Sequence, residues 1–181
     1  MTRFQDVLTH HARWFQGDAR APAILGYYGS KPEPETLHQL DAFLTMHTCG
    51  FLTVDSQDGL SDAKKDQRAY CCGFMHADLA VQVEAEFQEQ SGVLVHVSSI
   101  DEPLPRCGVV VTYVAKKATT RAFLGAGDLP TWVTQLEEDV GNRPLAKEFQ
   151  NLREVTFVDM EWGRQGHLMT SIAKVLRKLT A

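Results

Sequence analysis

The sequence predicts an α/β or α+β fold, a single mixed β-sheet flanked by about five helices, and three observations carry that reading. Stretches with apolar residues every three or four positions alternate along the chain with short runs rich in Val, Phe and Thr. Two such runs, at residues 51–54 and 67–72, lie close enough to pair as a hairpin and give the sheet an antiparallel component. At 181 residues, 44% hydrophobic and 23% charged, the chain has enough apolar content for one core. One globular domain over residues 1–181 is therefore expected.

The elements follow in order. Phe4, Val7, Leu8, His11 and Phe15 mark one face of a first helix, which Gly17 ends. Residues 18–35 hold three prolines and two glycines, with Tyr27-Tyr28 between the glycines, and read as a loop that wraps the core. Leu37, Leu40 and Leu44 give a helix over 34–48 with Gly50 as its stop. After the hairpin, Leu79, Val83 and Phe87 recur every four residues from a polar start at His76 and Asp78, a helix that ends near Gly92. Val93, Leu94, Val95 and Val97 form a strand, and residues 109–114 another, with Pro103 and Pro105 in the connection. Such continuous Val runs suit strands covered on both faces. Asp128 before Leu129-Pro130 reads as an N-cap opening a helix through Trp132, Leu136 and Val140, and a short helical stretch covers 144–152. Residues 155–162 alternate as a late strand, and Leu168, Ile172, Val175, Leu176 and Leu179 make a final amphipathic helix.

Charge and composition exclude several functions. A formal charge of −5 argues against broad binding to a phosphate backbone, which needs a basic face. That charge still allows a local basic patch around Lys64, Lys65 and Arg68, while the runs at Lys116-Lys117 and at Lys174, Arg177 and Lys178 read as solvated faces. The opening Met-Thr-Arg-Phe lacks the charged region and apolar core of a secretory signal, and no apolar run approaches the ~18 residues of a membrane span. A cytoplasmic protein is expected, with Cys49, Cys71, Cys72 and Cys107 as thiols. There is no Walker loop, Gly-x-Gly-x-x-Gly turn or Gly-x-Ser-x-Gly elbow.

The hairpin concentrates the remaining chemistry. Pairing its strands gathers Asp55, Ser56, Gln57, Gln67 and Arg68 at one open end, beneath a polar connection over 58–66 that projects as a flap. Arg68 offers a planar fork for a phosphate or carboxylate, Asp55, Ser56, Gln57 and Gln67 offer hydrogen bonds, and Tyr27, Tyr28 or Tyr70 offer a stacking face. The competing reading is structural: an Asp55–Arg68 pair across the strands that organises the turn, a type of contact contributing about 0.2–1 kcal/mol.

The pattern resembles an uncharacterised family of small proteins encoded by actinobacteria and some large DNA viruses. The likeness is carried by Gly50-Phe51-Leu52-Thr53, Asp55-Ser56-Gln57, Gln67-Arg68-Ala69-Tyr70 and Gly73-Phe74, with Gly26-Tyr27-Tyr28-Gly29 upstream. That family has no established activity, so the resemblance implies where a site lies and not what happens there.

Other constellations compete less well. His47, Cys49, Cys71 or Cys72, and His76 are residue types that zinc accepts, but their spacing is not that of a finger, so neither a metal nor another cofactor is expected. Cys72 with His76 is the candidate nucleophile and base, and Asp55 the other catalytic candidate. His96 reads as a core or edge-strand histidine, and His10, His11, His38 and His167 as surface or helix-boundary residues. Asp101-Glu102 and Glu137-Glu138-Asp139 are adjacent carboxylates, which do not converge as an acid/base pair.

The expected function is binding of a small polar or anionic molecule, such as a nucleotide or another phosphate-bearing metabolite, at the hairpin's open end. The first alternative is a hydrolase or transferase using Cys72 or Asp55 in the same pocket. The second is an acidic protein–protein interaction module, of viral or phage type, with an exposed apolar patch at Trp132 or Trp162. A homodimer through a sheet edge is the other partner considered.

Overall fold

In the computed structural model, which describes residues 3–18, 32, 34–89, 92–98, 108–122 and 151–181, the strands form two four-stranded sheets in place of one. The first contains β1 (Leu52–Gln57), β4 (Tyr70–His76), β8 (Leu152–Asp159) and β5 (Val93–Ser98), in that order. The second runs β2 (Leu60–Ser61), β3 (Lys65–Gln67), β6 (Val109–Val114), β7 (Lys117–Ala122). Every neighbouring pair is antiparallel, so the fold is α+β and the expected mixed sheet is corrected. The reason lies in β8. The helix α4 (Ala77–Gln88) carries the chain from β4 back to a parallel β5, but the late strand inserts between them and pairs antiparallel with both.

Four helices exceed one turn among the described residues: α1 (Arg3–Phe15), α3 (Leu40–Thr48), α4 and α5 (His167–Thr180), with α2 (Pro34–Leu37) a single turn. The expected wrapping loop with Tyr27 and Tyr28, the Pro103–Pro105 connection, Cys107, the helix through Trp132 and the stretch 144–150 lie outside the described residues. None of the described helices is long and apolar enough to cross a membrane.

The expected helix over 34–48 is broken at His38 and Gln39. Gln39 leaves the helical region (φ −112°, ψ 13°) and opens α3, whose buried face is Phe43, Met46 and His47 while Leu37 faces solvent. Gly50 does end α3, and it does so in the left-handed region at φ +93°. Its N–H reaches the His47 carbonyl and the Phe51 N–H reaches that of Met46, the paired bonds of a Schellman stop, with Met46 and Phe51 both buried.

One face of the first sheet, with Cys71, Met75, Val155 and Phe157, is covered by Trp14, Phe15, Phe43, Val83, Phe87, Leu168 and Ile172 from the helices. Phe157 stands at its centre, 5.6 Å from the Phe51 ring and 5.3 Å from that of Phe87. The opposite face packs Tyr70 and Val158 against Val111 and Ala122 of the second sheet.

The helical layer also buries two histidines. His11 and His47 lie with ring centroids 4.8 Å apart, and His47 Nε2 is 2.9 Å from Thr53 Oγ1. Burial drives both toward the neutral form. It lowers His11 to about 3, with a hydrogen bond at Thr53 opposing and His10 adding to the fall. His47 is lowered by burial and then by His11.

Because the unfolded chain takes up protons near pH 6.5 and these buried rings do not, stability is full above that value and falls as pH drops below it. From pH 7 to pH 5 the loss is expected to be about 2 kcal/mol per histidine, at about 1.4 kcal/mol per pH unit. Urea unfolding at the two pH values measures it. His11→Phe should reduce the difference, and an unchanged difference would show that His11 is not its source.

Candidate functional site

The hairpin is longer than expected and it is bent. Asp55 pairs with Cys72, Ser56 with Cys71 and Gln57 with Tyr70; beyond the bend the same register continues as Leu60 with Gln67 and Ser61 with Asp66. The polar segment 58–66 is thus no flap. Its backbone supplies β2 and β3, and β3 pairs with the Val-rich β6. The tip lies at Asp62, whose carboxylate accepts the N–H groups of Lys64 and Lys65.

The place taken for an open end is therefore the corner where one hairpin passes from sheet to sheet. Arg68 N–H bonds to Val111 of the second sheet, and the next residue's carbonyl, Ala69 O, accepts from Asp159 of the first. A strand that crosses a corner must hand its hydrogen bonds from one ladder to the other, and side chains complete the exchange. Gln57 does this: its amide donates to Arg68 O at 2.9 Å and Val111 O at 3.2 Å, and its carbonyl accepts from Thr112 Oγ1 at 3.0 Å.

The sequence-predicted residues consequently separate. Gln57 is engaged in the staple, and Gln67 is buried opposite Thr112 in the strand ladder. Asp55 accepts the Tyr70 hydroxyl at 2.6 Å and makes no pair with Arg68. The Tyr70 ring is in the inter-sheet core, where burial and then the Asp55 charge raise its phenol above the ordinary value. Ser56 is half-buried, facing Cys71 in the ladder. Tyr28 lies outside the described residues.

Arg68 stands apart from these. Its Cζ lies 4.2 Å over the Trp162 ring, which also packs against the Tyr113 ring at 5.3 Å. Its Nη1 reaches Val110 O at 3.3 Å, while its Nε is buried with no acceptor among the described residues. No described carboxylate pairs with it.

Trp162 is held by the connection between β8 and α5. Asp159, fully buried at the end of β8, accepts Arg164 Nε at 2.9 Å and Nη2 at 2.6 Å and the Glu161 N–H at 3.0 Å, with His167 Nδ1 at 3.4 Å. The loop so closed docks on the corner: Gly163 N–H bonds to Gln67 O, and Asp58 Oδ1 accepts both Gly59 N–H and Gly166 N–H at 2.8 Å. Gly59 is required there, since a Cβ would come within 2.7 Å of Arg164 O. Asp58 Oδ2 also takes His38 Nε2 at 3.1 Å.

Sequence reasoning missed Asp159, Arg164 and the carboxylate partners of His38 and His167, and considered Trp162 only as part of an exposed patch. The signal was present as two glycines among polar residues before a helix, but extending the strand to Trp162 concealed the loop. The other candidates do not assemble. Cys72 and His76 stand four residues apart on one strand, about 13 Å at ~3.3 Å per residue, and the His76 ring packs edge-on against Phe4. Burial, with Asp55 next, holds the Cys71 and Cys72 thiols protonated. His47 and Cys71 face the helical core while Cys72 faces the other side, so the zinc set does not converge; among the described residues no group of three metal-binding side chains exists.

The fold and site define a two-sheet α+β protein with a charged junction between its sheets. The chain belongs to a family described as a domain of unknown function (DUF6919), whose profile matches residues 1–179. No curated protein matches it.

Arg164→Met leaves the Asp159 carboxylate buried without its cation and is expected to cost about 3–5 kcal/mol. Asp159→Asn keeps a hydrogen-bonding amide beside a guanidinium that still reaches water, and should cost about 1–3 kcal/mol. Chemical denaturation of the two variants measures the order, and equal losses would show that the carboxylate is not the costly partner.

Proposed function

We propose that this protein binds a small anionic molecule, such as a nucleotide or another phosphate-bearing metabolite, at the hairpin corner with Arg68 on the anion. The observation that carries the reading is the state of Arg68: a half-buried guanidinium with a buried, unsatisfied Nε–H and no described carboxylate partner. An unmet buried donor costs about 1–3 kcal/mol, so this guanidinium has more than an exposed one to gain from a charge-assisted hydrogen bond to an anion. The stack on Trp162 contributes about 0.5–2 kcal/mol and fixes the plane of the fork, so the group is pre-oriented. Trp162 and Tyr113 supply the aromatic rings beside Arg68, while Tyr70 lies in the inter-sheet core.

A reaction carried by Cys72 or Asp55 has weaker support. The Cys72 thiol is held protonated by burial and by the neighbouring Asp55 charge, and Asp55 is occupied by Tyr70. The acidic interaction module draws no support from Trp162, which lies beneath Arg68 rather than in an open apolar patch. The free thiols Cys49, Cys71 and Cys72 are compatible with a reducing, cytoplasmic setting.

ADP and inorganic phosphate are the probes. At 100 times Kd a ligand adds about 2.7 kcal/mol, a rise of several degrees in Tm for a chain of this size. Arg68→Ala should melt within a few degrees of wild type unliganded and lose that rise. Arg68→Lys, which keeps the charge without the fork, should show an intermediate one. Equal ligand shifts in wild type and Arg68→Ala would remove Arg68 from the site.

A further inference from the structure

The outer face of the second sheet carries another guanidinium beside Arg68. The ladder between β6 and β7 is irregular at Val111 and Thr112, and both of these residues are buried toward the first sheet. With two consecutive residues turned inward, their neighbours Val110 and Tyr113 both stand on the outer face. Arg121 pairs with Val110 in register, while the next residue, Ala122, packs in the inter-sheet core. Arg121 is therefore outward as well, and it is exposed.

Backbone carbonyls anchor the two guanidiniums side by side. Arg68 Nη1 donates to Val110 O at 3.3 Å, and Arg121 Nη1 to Gly108 O at 3.1 Å. These acceptors are two residues apart on one stretch of chain, about 7 Å at the rise of a strand. Each arginine is thus held by one nitrogen, and no described residue accepts from its Nη2. No described carboxylate pairs with either. Asp66, on the same face opposite Tyr113, accepts the Ser61 hydroxyl at 2.6 Å. The aromatic rings adjoin the pair, Trp162 beneath Arg68 and Tyr113 against Trp162.

Satisfying two strand carbonyls does not call for cations, since neutral N–H donors would serve. Like charges on one sheet face repel unless a counter-charge lies between them.

We propose that Arg121 is a second anion-binding residue and that the ligand of this face is a nucleoside diphosphate, with one phosphoryl group on Arg68, the other on Arg121 and the ring against Tyr113. The inference rests on the preceding reading for the Arg68 contact, and adds the number of phosphoryl groups and the place of the ring. Forks anchored about 7 Å apart suit two linked phosphoryl groups better than one. Trp162 is engaged with Arg68, so the ligand's ring is assigned to Tyr113. A formal charge of −5 disfavours a long phosphate strand, which keeps the class to a mononucleotide.

Isothermal titration calorimetry of the full chain with ADP, AMP and inorganic pyrophosphate, at one ionic strength, tests the assignment. Wild type is expected to bind ADP at least about tenfold more tightly than AMP, through the second fork, and than pyrophosphate, through the ring. Arg121→Ala should bring ADP to within about threefold of AMP and leave AMP within that margin of its wild-type affinity, with Tm within a few degrees of wild type. Arg121→Lys, which keeps the charge without the fork, should restore part of the preference for ADP. Tyr113→Leu should weaken ADP and leave pyrophosphate unchanged. A preference for ADP over AMP that survives Arg121→Ala overturns the second contact, and an ADP affinity no better than that of pyrophosphate overturns the role of the ring. Arg68→Ala separates the two readings: if it abolishes binding of ADP and AMP while Arg121→Ala leaves their ratio unmoved, the Arg68 site stands and the diphosphate falls. Failure of all three probes to bind wild type removes both.

Discussion

A fully buried carboxylate, Asp159, is the constraint on which the junction depends. Taking such a charge out of water costs several kcal/mol unless it is neutralised and hydrogen-bonded on most of its lone pairs. Arg164 meets it through Nε and Nη2, and the Glu161 N–H adds a third donor. To do so the chain must turn back on itself at once after β8. The tight loop that results places Trp162 under Arg68 and delivers Gly166 to Asp58, so one buried charge fixes both the aromatic platform and the entry into α5.

The bent hairpin is the other half of this junction. Its register passes unbroken from the first sheet to the second, so the corner is a change of partner strand and not an end of pairing. Gln57 bridges the ladders with three hydrogen bonds, and Gly59 lets the Arg164 backbone approach where no Cβ fits. Among the described residues, Arg68 at the corner keeps a buried Nε–H that these arrangements leave without an acceptor. That incompleteness is the physical basis for placing an anion there.

Legibility in the sequence followed the range of the interactions involved. The helices α1, α4 and α5 were readable because a helix face repeats locally, and Phe4, Val7, Leu8, Val83, Phe87, Leu168 and Ile172 are indeed buried. The stop at Gly50 was readable because a left-handed residue is a local demand. Segment 58–66 was misread because polarity marks exposure of side chains and says nothing about whether the backbone finds a partner 45 or more residues away, as β3 does in β6. Expecting a mixed sheet had the same cause: the alternation of helices and strands does not reveal that β8 separates β4 from β5.

By itself the sequence determined the helical faces, the strand-forming runs and the presence of Arg68 near the crossing of two β segments, since these depend on propensity and periodicity within a few turns of chain. Only the tertiary structure decided that Asp55 would hold Tyr70 rather than Arg68, that Gln57 would become a staple, and that Asp58 and Asp159 would each receive a histidine. Those pairings arise where two sheets and a helix start compete for the same few donors and acceptors. Which group wins is settled by burial and geometry, quantities that exist only once the distant segments have met.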